Sequence, residues 1–231
     1  LLASQPYVGI TIDLMNTFGV RIFREDNKRF VVPAPQNYGP TDYLVEGDVS
    51  SATYFMAAAA ICGGTVRITN IRENSLQGDL RFGDILKTLG CTVRLSGDGL
   101  EIEGPLTNHE EVQFNLGDVP DLVPALAVVS AFRRGKTHLR NIGHLRVKEC
   151  DRISALASEL KRIGAWVQEK DDEMTVQGMA TRGGDIACFN DHRIAMSFAV
   201  AGLAISGLSI TDPDCVNKSF PDFWQTLQSL S

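Results

Sequence analysis

The chain has 231 residues, 44% of them hydrophobic and 22% charged, an ordinary globular balance with room for one large domain or one domain plus part of another. A net charge of −6 argues against general attraction to nucleic acid or an anionic membrane, so any anion binding must be local. Five scattered cysteines, Cys62, Cys91, Cys150, Cys188 and Cys215, form no C-x-x-C pair and meet no histidine at metal-ligand spacing. This argues against a zinc site and for a reducing compartment, with cytoplasmic residence expected. No signal peptide is recognisable, and the apolar stretches end too soon at glycine to span a bilayer. The chain opens at Leu1 without an initiator methionine and reads as a piece of a longer protein.

In chain order, a helical pattern from Ile10 to Gly19 runs into a β-rich Val20-Arg21-Ile22. Pro33, Pro35, Gly39 and Pro40 then interrupt regular structure. A domain change is placed there, with 1–42 as the end of one domain and 43–231 as another. Asp48 leads into a nearly uncharged helix, Ser50 to Cys62, followed by glycines and the strand Val66-Arg67-Ile68. Phe82 to Gly90 is a helix with a charged side, running into Cys91-Thr92-Val93. Asp98-Gly99 is a good hairpin turn between Val93-Arg94-Leu95 and Leu100-Glu101-Ile102. The same order returns: Asp121 before Leu122 to Phe132, the strand Thr137-His138-Leu139, then Ile153 to Gly164 into Ala165-Trp166-Val167. It begins a third time with Asp191 before Ile194 to Ser206 and the strand Leu208-Ser209-Ile210.

Both landmark series, the aspartate-led helices and the Gly-ended helices, recur at about seventy residues, so the chain contains an internal repeat. The aspartate-led helices are apolar or small on every face, as in a helix surrounded by protein. The Gly-ended helices carry Asp84, Lys87, Glu159, Lys161 and Arg162 and are expected to face solvent. Each repeat therefore reads as strand, buried helix, strand, exposed helix and two strands, an α/β fold of βαβαββ units. Asp48, Asp121 and Asp191 each read as N-caps, supported at Asp121 by Pro124 in the first turn. Three equivalent helix starts also place three sets of free backbone N–H groups at one kind of end, a usable anion-binding geometry.

Three runs put basic side chains beside acidic ones: Arg146-Val147-Lys148-Glu149-Cys150-Asp151-Arg152, Asn190-Asp191-His192-Arg193 and Asn217-Lys218-Ser219-Phe220-Pro221-Asp222. Taken alone, Lys148-Glu149 and Asp151-Arg152 are more often a solvated charge run at a helix start, and His192 more often a structural hydrogen-bonding residue. Brought together, they would hold a substrate with several negative charges and still offer a carboxylate for proton transfer.

Together with Glu46-Gly47-Asp48-Val49-Ser50-Ser51-Ala52 and Leu76-Gln77-Gly78-Asp79, these runs resemble the 5-enolpyruvylshikimate-3-phosphate synthase family, in the expected order and over essentially the whole chain. The match is to the C-terminal part of that enzyme. The resemblance implies two domains of three βαβαββ units each, with helices packed inside sheets as an inside-out α/β barrel. It implies transfer of the enolpyruvyl group of phosphoenolpyruvate to the 5-hydroxyl of shikimate 3-phosphate, releasing phosphate, in aromatic amino-acid biosynthesis. No cofactor or metal is expected.

Both substrates carry phosphate, and one adds a carboxylate, so the site needs cations that do not exchange protons, which suits arginine. By resemblance, Arg152, Arg193 and Lys218 bind phosphoenolpyruvate, with His192 ranked below Arg193. Lys148 and His144 lie toward shikimate 3-phosphate, as do Ser4 for the phosphate and Tyr7 for the ring. Proton delivery to the methylene carbon and removal from the attacking hydroxyl call for two acid/base positions. The resemblance puts Glu149 by the methylene carbon and Asp121 by the 5-hydroxyl; which is acid and which base stays open, with a lysine of the other domain as a third candidate.

The Gly-rich phosphate loop, the Lys-Ser pair near the start and the Ser-Ser-Gln motif that the family carries in its N-terminal half have no counterpart here. This chain is thus expected to supply half of an interdomain site, inactive alone, with the other domain of the same polypeptide as partner. The alternatives are the related transferase acting on UDP-N-acetylglucosamine, a non-catalytic half-site binding module, and part of a multifunctional fusion.

Overall fold

A computed structural model describes residues 4–97 and 99–230. The elements run α1 (Gln5–Thr17), β1 (Phe23–Glu25), β2 (Arg29–Val31), α2 (Val49–Cys62), β3 (Thr65–Thr69), α3 (Arg81–Thr88), β4 (Thr92–Ser96), β5 (Gly99–Glu103) and β6 (Val112–Asn115). They continue with α4 (Val123–Ser130), β7 (Thr137–Arg140), α5 (Arg152–Arg162), β8 (Trp166–Glu169), β9 (Glu173–Gln177), β10 (Gly184–Ile186), α6 (His192–Ala204), β11 (Leu208–Ile210) and α7 (Phe223–Gln228).

The repeat is clearest in the middle unit, where β6 and β7 are parallel, β7 and β9 antiparallel, and β9 and β8 antiparallel, in the order β6-β7-β9-β8. The first unit shows the equivalent β3-β5-β4. Its leading segment meets β3 as the end of β6 meets β7: Gly47 N donates to Asn70 O at 2.8 Å, and Leu116 N to Arg140 O at 2.9 Å. The third unit contributes the parallel pair β10 and β11. Strands β4 and β5 pair as the hairpin expected around Asp98-Gly99, although Asp98 itself lies outside the described residues.

Helices α2, α4 and α6 pack on one another at the centre, and every residue of α4 is buried. Their side chains are mostly small or apolar because nearly all of their length is covered by protein, with exposed residues such as Cys62 and Leu203 only at the C-terminal ends of α2 and α6. Wholly buried Phe198 anchors α6, and its loss to alanine would cost about 3–5 kcal/mol. At the C-terminal ends of α2 and α4 the packing becomes backbone on backbone. A Cβ at Gly104 would lie 1.9 Å from Ala59 O, and one at the equivalent Gly178 would lie 2.4 Å from Arg133 O and 2.5 Å from Ala131 O. Only glycine fits that approach.

Three sequence expectations need correction. Val20-Arg21-Ile22 is not a strand, because the chain leaving α1 is held by Gln36, which bonds Arg21 N and O, and β1 starts at Phe23. Glu159 does not face solvent: it is wholly buried, and its Oε2 accepts from Ala187 N at 3.2 Å and Arg162 Nε at 2.9 Å. The chain entering the third unit needs that acceptor. Asp121 is not an N-cap: it sits in a 3-10 turn, Pro120–Leu122, and α4 starts beyond it with no side-chain cap. Asp48 and Asp191 do cap α2 and α6, accepting from Ser50 N and Ser51 N, and from Arg193 N.

Candidate active site

The starts of α2, α4 and α6 lie at one end of the molecule. Arg193, in the first turn of α6, donates from Nη2 to Asp121 before α4 at 2.9 Å and from Nη1 to Tyr54 of α2 at 3.5 Å. Three helix N-termini thus face the same region and bias it toward anions. The start of α5 joins them through Arg152.

Arg152 is 1% exposed and organises the cluster. Its Nε donates to Asp191 Oδ2 at 2.6 Å, Nη2 to Asp191 Oδ1 at 3.3 Å and to Glu149 Oε2 at 2.6 Å, and Nη1 to Asp121 Oδ1 at 3.3 Å. Carboxylates therefore engage four of the five N–H donors of the Arg152 guanidinium. Asp191 is wholly buried and serves twice, as cap of α6 and as counterion of Arg152. Lys218, on the 3-10 turn Pro213–Lys218, reaches the other oxygen of Glu149 at 2.7 Å. Arg152, Arg193 and Lys218 are thereby balanced against Asp121, Glu149 and Asp191, and an incoming anion would meet cations already matched in number by carboxylates.

Burial alone would raise the pKa of Glu149, but the Lys218 hydrogen bond and the Arg152 charge outweigh it and bring the group down to about 2. Burial holds His192 below the usual imidazole range, aided by the Arg193 charge, and its buried Nδ1 has no partner among the described residues. His144 stands on the 3-10 turn Gly143–Val147 with Nε2 likewise buried and unpartnered; burial and then Lys148 lower its pKa. Lys148 is exposed at the end of that turn. The turn is braced by Arg146, which donates to Asp151 at 2.8 Å and to the carbonyls of Lys170 and Asp171.

Ser4 and Tyr7 enter from α1. Ser4 occupies the cap position in a left-handed conformation, with φ 60°, and its backbone N donates to Gly117 O at 3.4 Å. Tyr7 donates its phenol to Asp79 at 2.7 Å. Arg152, Arg193, Lys218, Asp121 and Glu149 are thus joined in one network, to which the structure ties Tyr54 and Asp191 as well. The sequence marks neither of these two as a site residue. Asp191 is legible there as a cap and as a member of a charged run without a role of its own, and Tyr54 lies in an apolar helix where a phenol reads as core. The motif Leu76-Gln77-Gly78-Asp79 also acts locally, since Gln77 accepts from Val49 N at 2.9 Å and donates to Glu46 and Gly47, tying down the start of α2. Among the described residues no group of three or more His, Cys, Asp or Glu could hold a metal, and no helix is long and apolar enough to cross a membrane.

Comparison with known proteins agrees with this architecture. The family model described as EPSP synthase (3-phosphoshikimate 1-carboxyvinyltransferase) matches residues 2–227. The 3-phosphoshikimate 1-carboxyvinyltransferase of Proteus mirabilis is 44% identical over all of this chain and 54% of its own length. That of Methanoregula boonei is 45% identical over 99% of this chain and 54% of its own. The EPSP synthase structure from Acinetobacter baumannii superposes with a TM-score of 0.79 at 31% identity, covering 94% of this chain and 53% of that one. The enolpyruvyl transferase NikO from Streptomyces tendae, at 21% identity and a TM-score of 0.77, shares the fold. The chain spans about half the length of the curated relatives it matches. With its repeated α/β unit, complete as βαβαββ in the middle of the chain, its buried helices and a family match across nearly its full length, this chain belongs to the EPSP synthase family.

Proposed function

We propose that this chain supplies one half of a site that transfers the enolpyruvyl group of phosphoenolpyruvate to the 5-hydroxyl of shikimate 3-phosphate and releases phosphate. The observation that carries this reading is the meeting of Arg152, Arg193 and Lys218 with Glu149 and Asp121 at the N-terminal ends of the buried helices. Residues 43–231 form the domain that bears this half. Residues 1–42 belong to the other domain, whose remaining part lines the opposite wall of the cleft.

Phosphoenolpyruvate takes Lys218, Arg193 and Arg152, while Lys148, His144, Ser4 and Tyr7 face shikimate 3-phosphate. The anion draws the exposed Lys218 away from Glu149, while the buried Arg152 stays in place. A carboxylate relieved of its Lys218 hydrogen bond gains proton affinity, so substrate binding turns a strongly ionised Glu149 into a group able to carry a proton. Protonated Glu149 then delivers to the methylene carbon and later recovers a proton from the resulting methyl. Asp121, held between Arg152 and Arg193, takes the proton of the attacking hydroxyl and returns it to the departing phosphate as the C–O bond to that group breaks. The site residues supply acid, base and charge, and no step calls on a metal or organic cofactor. The reaction is tested in the full-length protein by phosphate release with shikimate 3-phosphate and phosphoenolpyruvate. Release that needs both substrates is expected, and no release with this acceptor would overturn the reading.

A further inference from the structure

We infer that Gly78 and Asp79 form the seat on which α1 docks, and that they act as positioning residues for Tyr7 and Ser4. This rests on the proposed function, in which those two side chains face the phosphorylated acceptor.

Asp79 is 1% exposed and stands outside the arginine network. Its Oδ2 accepts two hydroxyls, Tyr7 OH at 2.7 Å and Ser50 Oγ at 2.7 Å, while Oδ1 is buried without a partner among the described residues. A buried carboxylate is costly, and here it returns a fixed orientation for one phenol. The polarity of that bond has a chemical consequence. A phenol has a single proton, and Tyr7 commits it to Asp79, so toward the cleft the oxygen offers lone pairs alone. It is therefore suited to a donor such as a ring hydroxyl of the acceptor, and unsuited to a phosphate oxygen.

Gly78 supplies the close approach. A Cβ there would lie 2.6 and 2.7 Å from Cγ and Cβ of Pro6, a rigid ring at the start of α1, and 3.2 Å from Val119. Gly78 does not use the left-handed backbone region, so alanine is acceptable to the local chain and its methyl is aimed mainly at α1. Beside this first turn the seam opens into a cavity of about 530 Å³ lined by Ile10, Leu14, Phe18, Tyr43 and Val45. The first turn is where α1 meets the body closely, through Pro6 on Gly78, Tyr7 on Asp79 and Ser4 N on Gly117 O.

The test uses the full-length protein and separate KM values for the two substrates in Gly78→Ala, Asp79→Ala, Tyr7→Phe and the double variant Tyr7→Phe/Asp79→Ala. Loss of one buried hydrogen bond or of the docking contact is expected to raise KM for shikimate 3-phosphate about tenfold, with KM for phosphoenolpyruvate changed much less. The double variant should be no worse than the poorer single one, because both remove the same bond. Unchanged acceptor KM in Gly78→Ala and Tyr7→Phe, or multiplicative effects in the double variant, would overturn the inference. Should Asp79→Ala fail to fold, Gly78→Ala and Tyr7→Phe decide it alone. Absence of turnover by the wild-type protein would instead overturn the functional reading. The seat is then judged by coupling between Tyr7→Phe and Asp79→Ala in urea unfolding, where zero coupling removes it.

Discussion

Arg152 and Lys218 hold the same carboxylate from opposite sides, yet they are built differently. Arg152 has a side chain 1% exposed and is bound to three carboxylates, one of them the wholly buried Asp191. Lys218 has a side chain 56% exposed and a single carboxylate contact. The first is part of the fold and cannot leave without stranding charge in the interior. The second gives up little when it turns to another anion, since exposed pairs are weak. A site that must bind an anion and then release one benefits from both, a fixed cation that sets geometry and a loose one that responds.

The sharpest way to break this contrast is Arg152→Ala. Leaving Asp191 buried and unpaired should cost about 3–5 kcal/mol, a fall in Tm on the order of 10 °C by calorimetry, with activity lost as well. A fall of only a degree or two would mean that Arg152 is no more structural than Lys218. Next in size, Glu149→Gln should lower phosphate release by roughly 10²–10⁴ with a fall in Tm smaller than that of Arg152→Ala, if the shared carboxylate does proton work as well as pairing. Lys218→Ala should change stability by less than about 1 kcal/mol and raise KM for phosphoenolpyruvate; an unaltered KM would place the anion elsewhere.

The smallest effect sharpens the comparison by pH. The folded-state pKa of Glu149 lies below its unfolded value, at about 2, so its stabilising contribution is complete above the ordinary glutamate range near ~4.3 and is lost as pH falls through the folded value. An NMR titration of the Glu149 carboxyl should therefore show a midpoint that moves up in Lys218→Ala. No movement would mean that Lys218 does not hold this carboxylate in solution.

Much of this arrangement is readable in the residues. The repeat announces itself through glycines after helices and aspartates before them, because both are local backbone demands that tertiary context rarely overrides. The charged runs around Arg152, Arg193 and Lys218 are likewise visible, and resemblance supplies their grouping. Pairing is not readable. Asp121 looks like a cap in sequence, since nothing local reveals that a 3-10 turn moves the helix start beyond it and frees its carboxylate for two arginines. Glu159 looks like a surface charge because its partner, Ala187 N, lies in the next unit. Asp79 belongs to a motif whose meaning depends on Tyr7, some seventy residues earlier.

The glycines at 104 and 178 carry a consequence for how such a chain can change. With main chain pressed on main chain behind α2 and α4, the base of the molecule has no slack, and a single methyl there would wedge the hairpin off its helix. The opposite end is furnished mainly with side chains, and exposed ones such as Lys218 can be exchanged without stranding buried charge, whereas Arg152 and Asp191 cannot. Variation is thereby excluded at these two glycine positions, and any side chain at 104 or 178 is expected to unfold the hairpin packing.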